Sequence, residues 1–219
     1  IRREFPGKPV VINRNCASME MQILSHDAVE QVEKDPEHIS IGYFSGSKTH
    51  DQDFEVAEEA ILEVMKEHPE ASNALKQLVG VLSDRKMEKF GNKVEKLPFM
   101  DWKQLPSVMA GIDINLMPLE DSIFHCSKSE NKWMEAALVK VPSVMSRNRE
   151  MEGVIENGVD GWLCSDKEEW KKALTTLIEE KTARVQMGEK AHKKVMCQYV
   201  TQNTGKDARE ELLCSEKYS

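Results

Sequence analysis

Residues 127–135 read SKSENKWME, and several of them are suited to holding an anion. Lys128, Ser129 and Lys132 stand near a predicted helix amino end, where unpaired N–H groups and the positive end of the helix dipole favour phosphate. Two lysines converging there could neutralise a diphosphate through charge-assisted bonds. Glu135, three residues after Lys132 and on the same face, could accept hydrogen bonds from a vicinal diol such as a ribose. The plain alternative is a solvated helix face whose Lys132–Glu135 pair contributes about 0.3 kcal/mol.

A second stretch, SGSKTHD at 45–51, has the same character. Ser45, Gly46 and Ser47 are small enough for close backbone approach, Lys48 adds charge, and His50 adds a donor just before a helix start. Taken alone it is an ordinary strand-to-helix turn, being neither GxGxxG nor a Walker A loop. Two such loops ending on one sheet edge tilt the reading toward function. His125 and Cys126 are adjacent in sequence with no visible orienting group, so loop packing suits them better than nucleophilic chemistry.

The elements that must position these residues follow from hydrophobic periodicity. DINLMPL (113–119) is a mostly apolar run ended by a proline and reads as a buried strand. The polar loop EDSIFHCSKSE after it is too long for a tight joint. A helix comes next with Trp133, Met134, Ala137, Leu138 and Val141 inward; Pro142 closes it and PSVM opens the following strand. Upstream, SIGYFSGS is a strand, Asp53 caps a helix over FEVAEEAILEVMKEH that Pro69 stops, and KQLVGVL and KVEKLPF are strands. A short polar turn or helix lies between those two strands, and WKQLPSVMAGI is a short helix. Downstream, VIENGVDGWLCS has two glycine turns flanking a short strand, and Ser165 with Glu168 sits at capping-box spacing before EEWKKALTTLIEE. Another helix runs to about Tyr199. Trp133, Trp170 and Met187 fall on apolar helix faces and read as core.

Strands alternating with helices predict an α/β fold, a Rossmann-like doubly wound parallel sheet. Ligands of such sheets bind beyond the carboxyl ends of the strands. The loops there, SGSKTHDQD, PFMDW, PLEDSIFHCSKSE and SRNREMEG, are the polar, Gly- or Ser-bearing loops of the chain. At 219 residues there is room for one domain plus appendages. Residues 1–37 carry one or two helical turns and a brief strand, VVIN, and read as a linker; residues 38–199 form the domain; 200–219 is a polar tail. The net charge of −8 argues against general nucleic-acid binding. No apolar run approaches membrane-spanning length, and the five scattered cysteines read as reduced thiols of a cytoplasmic protein, without metal-ligand spacing.

With these pieces placed, the chain resembles the C-terminal half of a retaining glycosyltransferase of the GT-B fold, in the large GT4 (glycosyl transferases group 1) family. EAALVKVPSV resembles the family's E-A-x-x-x-G-x-P-V-V segment, and AGIDINLMPL the A-x-x-D-x-x-x-x-P strand before it. IENGVDGWLC resembles the I-x-x-G-x-x-G-x-L turn, and IGYFSGS the strand and glycine turn that open the donor domain. The resemblance covers about residues 38–199.

By that resemblance, Glu135 matches the second glutamate of the E-x7-E motif, which in the family holds the nucleotide ribose. Ser127 stands where the first glutamate would be, with Glu120, Lys128 and Ser129 nearby to take over its grip on the donor sugar. Lys132 resembles a K-x-x-E variant of the motif. The basic pair usual after the glycine turn is absent in that form; Ser47 takes its first place and Lys48 is the nearest cation. Phe99 and Met100 match the loop whose backbone meets the base. Lys140 replaces a glycine, which implies a slightly different exit from the helix.

The resemblance further implies a nucleotide-sugar donor, no metal and no other cofactor. The acceptor would be a glycan, lipid-linked or other hydroxyl held by an N-terminal domain that this chain lacks, in polysaccharide or glycan biosynthesis. Residues 1–37 would be the hinge side and 200–219 would cross back. The complete enzyme could associate peripherally with a membrane, while the chain alone would turn over nothing. Two other readings remain, a non-catalytic α/β binding module and a GT-B relative such as a nucleotide-sugar epimerase.

Overall fold

IGYF, INLM and SVMS bury every one of their residues, the pattern of central strands covered on both faces. The structure is a computed structural model that describes residues 4–7, 14–35, 38–44, 51–68, 75–79, 88–91, 94–98, 100–120 and 129–203. VVIN, most of the segment between the second and third strands, and the chain beyond 203 lie outside the described residues. In order, the elements are α1 (Met19–Gln31), β1 (Ile41–Phe44), α2 (Asp51–Glu67), β2 (Leu75–Val79), β3 (Val94–Leu97), α3 (Leu105–Ala110) and β4 (Ile114–Met117). They continue with α4 (Asn131–Leu138), β5 (Ser143–Ser146), α5 (Arg149–Glu152), β6 (Trp162–Cys164), α6 (Lys167–Glu179) and α7 (Lys181–Gln198).

The six strands form one parallel sheet in the order β3-β2-β1-β4-β5-β6. This is the doubly wound arrangement that the alternation of strands and helices predicts. Period-2 alternation along β4 sorts the two faces. Ile114 and Leu116 join Ile41, Tyr43 and the apolar stripes of α2 and α6, among them Ala57, Ile61, Val64, Trp170 and Leu174. Met117 joins Trp133, Ala137, Ala191 and Val195 on the opposite face, where α4 and α7 pack together. Trp133, Trp170 and Met187 are buried, as their spacing predicts.

Several boundaries depart from the sequence reading. α1 is a 13-residue helix, not one or two turns. Its start is set by Ser18, whose hydroxyl accepts the Met21 N–H at 3.1 Å. It buries only Ser25 and Ala28 fully, so little apolar periodicity marks it. α2 starts at Asp51, which places Asp53 inside the first turn and not at the cap. The cap of α6 is Asp166, which accepts the Glu169 N–H at 2.9 Å while the Glu169 carboxylate accepts the Ser165 N–H at 2.7 Å. The capping box is thus one residue later than Ser165 and Glu168 suggest. Both glycines of VIENGVDGWLCS precede β6 and do not flank it.

α4 ends before Val141 and Pro142, in a turn centred on Lys140. The Val141 N–H donates to the Ala136 carbonyl at 2.9 Å and the Lys140 N–H to the Ala137 carbonyl at 3.0 Å. This is a Schellman closure, and Lys140 holds the left-handed φ of 60° that it requires. The exit from the helix is therefore the one glycine would make, contrary to the altered exit expected from a lysine there. The hydrogen bonds of the turn and the helix crossing it outweigh the strain. Lys140→Gly is expected to raise stability by about 1 kcal/mol, read from the urea midpoint.

Candidate functional site

The strand order reverses between β1 and β4, which opens a crevice beyond their carboxyl ends. Parallel pairing of Ile41 with Ile114 and Tyr43 with Leu116 brings both ends to one rim. The helices that follow, α2 and α4, begin at that rim, and two contacts cross it, one from α2 to the segment after β4 and one from α4 to β1. The Asp53 carboxylate, in the first turn of α2, accepts the Glu120 N–H beyond β4 at 3.0 Å. The Lys132 ammonium, in the first turn of α4, lies 5.6 Å from the centre of the Tyr43 ring on β1.

α4 is clamped by the glycine turn before β6. Trp133 is fully buried, meets Tyr199 edge-on at 5.5 Å, and donates its Nε1–H to the Asp160 carbonyl at 2.9 Å. The Asp160 carboxylate accepts Lys194 Nζ at 2.6 Å and the Glu156 N–H at 2.9 Å. Gly158 supplies a φ of 77° in this turn, and a Cβ at Gly161 would press on Met145 and Ile155 at 3.0 and 3.1 Å. From the sheet side, Asn115 Nδ2 donates to the Ser143 hydroxyl at 3.0 Å and to the Lys132 carbonyl at 3.4 Å, leaving its buried Oδ1 without a hydrogen-bond partner.

Glu135 is half-buried and makes no hydrogen bond or ion pair among the described residues. Burial pushes its carboxyl up to about 7, against a smaller opposing pull from Lys132. The expected Lys132–Glu135 pair is thus an electrostatic coupling and not a contact. Glu135 borders a cavity of about 10 Å³ shared with Met21, Ser25 and Met109. That is room for roughly one water, and the Ser25 hydroxyl is itself buried without a partner.

Ser129 is exposed and accepts Asn15 Nδ2 at 2.9 Å, and Glu120 is exposed at the rim. Met100 follows β3 and packs its side chain against the core cluster of Phe44 and Met109. Ser45, Gly46, Ser47, Lys48, His50, Phe99, Ser127 and Lys128, with His125 and Cys126, lie outside the described residues. The flanking Phe44 and Asp51, and Glu120 and Ser129, all stand at the carboxyl rim.

Sequence reasoning missed several contacts beside this rim. Glu130, the residue before α4, is buried and pairs with Arg14 at 3.3 Å. Asn15 reaches Ser129, and Asp53 ties α2 to the segment after β4. Ala17 binds Tyr199 and Thr201 through backbone hydrogen bonds of 2.7 and 3.1 Å. The segments around 14–17 and 199–201 therefore run side by side next to the start of α4. A polar Arg-Asn pair carried no signal for this, because its partners lie more than a hundred residues away.

A family model described as Glycosyl transferases group 1 matches residues 40–180. The chain belongs to the group 1 glycosyltransferases. Its fold is that of the C-terminal domain of a GT-B glycosyltransferase, and three solved structures illustrate the likeness. The C-terminal domain of a group 1 family protein, LpcC from Francisella tularensis, aligns over 86% of this chain and 96% of its own, at 18% identity and a TM-score of 0.59. A TarM mutant from S. aureus, in complex with fondaparinux, alpha-GlcNAc-glycerol and UDP, aligns over 96% of this chain and 40% of its own, at 14% identity and 0.65. HepE from Anabaena, in complex with UDP-glucose, aligns over 90% and 52%, at 17% identity and 0.58. This group 1 chain thus spans about half or less of the length of TarM and HepE. No curated protein sequence matches it.

Among the described residues, no group of three or more His, Cys, Asp or Glu side chains is placed to hold a metal ion. No described helix is long and apolar enough to cross a membrane. Cys16, Cys164 and Cys197 are free thiols, and burial pushes that of Cys164 up to about 12.

Proposed function

We propose that this chain holds the nucleotide-sugar donor of a retaining glycosyltransferase, as the C-terminal half of a GT4 enzyme acting in the cytoplasm on polysaccharide or glycan precursors. Residues 38–199 form the donor domain in this reading. Residues 1–37 lead in from an acceptor-binding N-terminal domain, and 200–219 cross back to it. The side-by-side run of 14–17 and 199–201 beside the candidate site supports that arrangement. The acceptor is a glycan, lipid-linked or other hydroxyl, and peripheral membrane contact belongs to the whole enzyme.

One observation carries the proposal. The amino ends of α2 and α4 open on the same rim at the switch point, with Lys132 and Glu135 on α4. In the transfer, the bond from the anomeric carbon to the diphosphate breaks, the diphosphate leaves with the electron pair, and the acceptor oxygen bonds the same face as its proton passes to the departing diphosphate. The protein's part is to stabilise the departing negative charge, which helix N–H groups and lysines do without a nucleophile. Ser45 to Lys48, His50, Lys128, Ser129 and Lys132 are assigned to the phosphates, Glu135 to the ribose diol, and the backbone of Phe99 and Met100 to the base. Glu120 and Ser127 are assigned to the sugar. The small cavity beside Ser25 is too tight for a ribose, so the nucleotide reaches Glu135 from the open rim. UDP and UDP-glucose in the TarM and HepE structures make a uracil base the first to test.

Thermal shift with UDP, GDP, dTDP and ADP tests the reading. The preferred nucleotide at one hundred times its dissociation constant is expected to add about 2.7 kcal/mol, a rise of several degrees. Glu135→Ala and Lys132→Ala should each abolish the shift while the variant still melts cooperatively. A shift that survives both substitutions places the nucleotide elsewhere.

A further inference from the structure

At the amino ends of the same strands, on the edge away from the donor rim, lies a cavity of about 340 Å³. Its walls come from the end of α1, the residues leading into β1, β4 and β5, and the first turns of α7. A volume of that order is at the small end of ligand pockets. A strand of four residues separates it from the rim by roughly 13 Å. The two sites share α4, with Lys132 in its first turn and Lys140 just past its last.

The lining divides into two chemistries. Val29, Val32, Ile39, Val139, Pro142 and Val185 make an apolar wall. Lys34, Lys140, Lys181 and Arg184 bring four cations against the carboxylates of Asp35, Asp113 and Glu189, in a chain whose net charge is −8. The charges are unevenly matched. Asp113, buried, accepts the Ser40 N–H at 2.9 Å and stands between two cations, Lys34 Nζ at 3.7 Å and Arg184 Nε at 3.9 Å. Lys34 also donates to the Ile112 carbonyl at 2.5 Å, and Arg184 Nη1 to the Leu177 and Ile178 carbonyls at 2.6 and 3.2 Å. Those neutral acceptors satisfy hydrogen bonds without cancelling charge, so one carboxylate between two cations leaves an excess positive charge for an anion to meet. Burial holds both Lys34 and Arg184 below their ordinary values, each also pulled up by Asp113. Asp35 already pairs with His38 at 2.7 Å. Lys140 and Lys181 have no ion-pair partner among the described residues, and both are exposed at the mouth.

We propose that this cavity binds a small organic anion, a carboxylate or phosphate monoester carrying an apolar body, with the acid group among Lys34, Lys140, Lys181 and Arg184 and the body against the valine wall. The two halves of the lining together suit neither a purely polar nor a purely apolar ligand. The inference does not depend on the donor-site reading.

Calorimetric titration of the 219-residue chain with octanoate, octyl phosphate, octanol and inorganic phosphate tests it. Octanoate or octyl phosphate is expected to bind one to one, at least tenfold more tightly than octanol or inorganic phosphate. Preference between the two anions tells carboxylate from phosphate chemistry. The double variant Lys140→Glu/Lys181→Glu changes only exposed side chains and should weaken the bound anion at least tenfold, leaving any nucleotide thermal shift unchanged. Val185→Trp, at the rim of the apolar wall, should weaken it through the other half of the site. No binding by either amphipathic anion overturns the proposal. So does octanol binding as tightly as octanoate, inorganic phosphate as tightly as octyl phosphate, or a charge-reversed double variant with unchanged affinity. Glu135→Ala should abolish the nucleotide shift and leave octanoate binding intact, so the two sites fail separately.

Discussion

Replacing Gly188 with alanine is expected to destabilise the chain by about 3 kcal/mol or more, or to leave it unfolded. At an ordinary helical position the change from glycine to alanine would gain roughly 1 kcal/mol, so even the sign of the result discriminates. Gly188 is where α7 crosses the turn after α4. A Cβ there would stand 2.0 Å from the Lys140 carbonyl oxygen, 2.8 Å from its carbonyl carbon and 3.4 Å from Pro142 Cδ. The first two are backbone atoms with no rotamer to turn away. The turn cannot yield easily either, since two hydrogen bonds close it and Lys140 already holds a left-handed conformation.

Moving α7 outward would in turn loosen what it holds in α4. His192 Nδ1 sits 3.1 Å from both the Ala137 and Leu138 carbonyls, and Lys194 anchors Asp160 beneath Trp133. The nucleotide thermal shift should therefore fall together with stability. Urea denaturation of Gly188→Ala decides the matter, and a variant as stable as the parent would mean that the crossing is wider than described.

The parts of this fold legible in the sequence are those where one face of an element is apolar and the other is not. α2 and α6 show it, with Ala57, Ile61 and Val64, and Trp170, Leu174 and Leu177, all buried at the spacing their sequence sets. The strands were legible because a sheet covered on both sides turns them into short apolar runs. α1 was not, because its buried stripe is a serine and an alanine; tertiary contact with α3 supplies what its own pattern lacks. The cap of α6 slipped by one residue because Ser165 and Asp166 are chemically interchangeable as caps. Asp53 is excluded as a cap by the helix start at Asp51, and its carboxylate accepts the Glu120 N–H instead.

The candidate site divides in the same way. Lys132 and Glu135 were legible because spacing on one helix fixes their shared side, and the parallel pairing of β1 with β4 brings α2 to the same rim. Arg14, Asn15 and Glu130 were not, since long-range contacts alone bring them there. The amino-edge cavity was equally hidden. Its charged walls come from the segment after α1, the entrances to β4 and β5, and α7, and no contiguous stretch carries its signature.

Glu135 gives the second large effect, in the dependence of both stability and donor binding on pH. Its folded carboxyl sits at about 7, against an ordinary 4.5, chiefly because α1, α3 and α4 take it out of water. Between those two values the folded chain keeps a proton that the unfolded chain has released. Stability therefore falls as pH rises from about 4.5 to about 7, and stays at the lower level above. The size is at most about 3 to 4 kcal/mol, and nearer 2 kcal/mol once the water still reaching a half-buried group is allowed for. Glu135→Gln keeps the shape without the charge, so it should gain about that much at pH 8 and nothing at pH 4. Unfolding free energies at the two pH values measure it directly, and equal slopes in parent and variant would mean the carboxylate is not desolvated. Donor binding should run the other way. A diol donates to the ionised carboxylate, and only about a tenth of Glu135 is ionised at pH 6 against nine-tenths at pH 8, so affinity should rise roughly tenfold across that interval. UDP-glucose, whose diphosphate diester does not titrate there, is the ligand for that measurement. Glu135→Gln should bind it weakly and with no pH dependence, whereas a parent affinity flat from pH 6 to 8 would remove Glu135 from the nucleotide's grip.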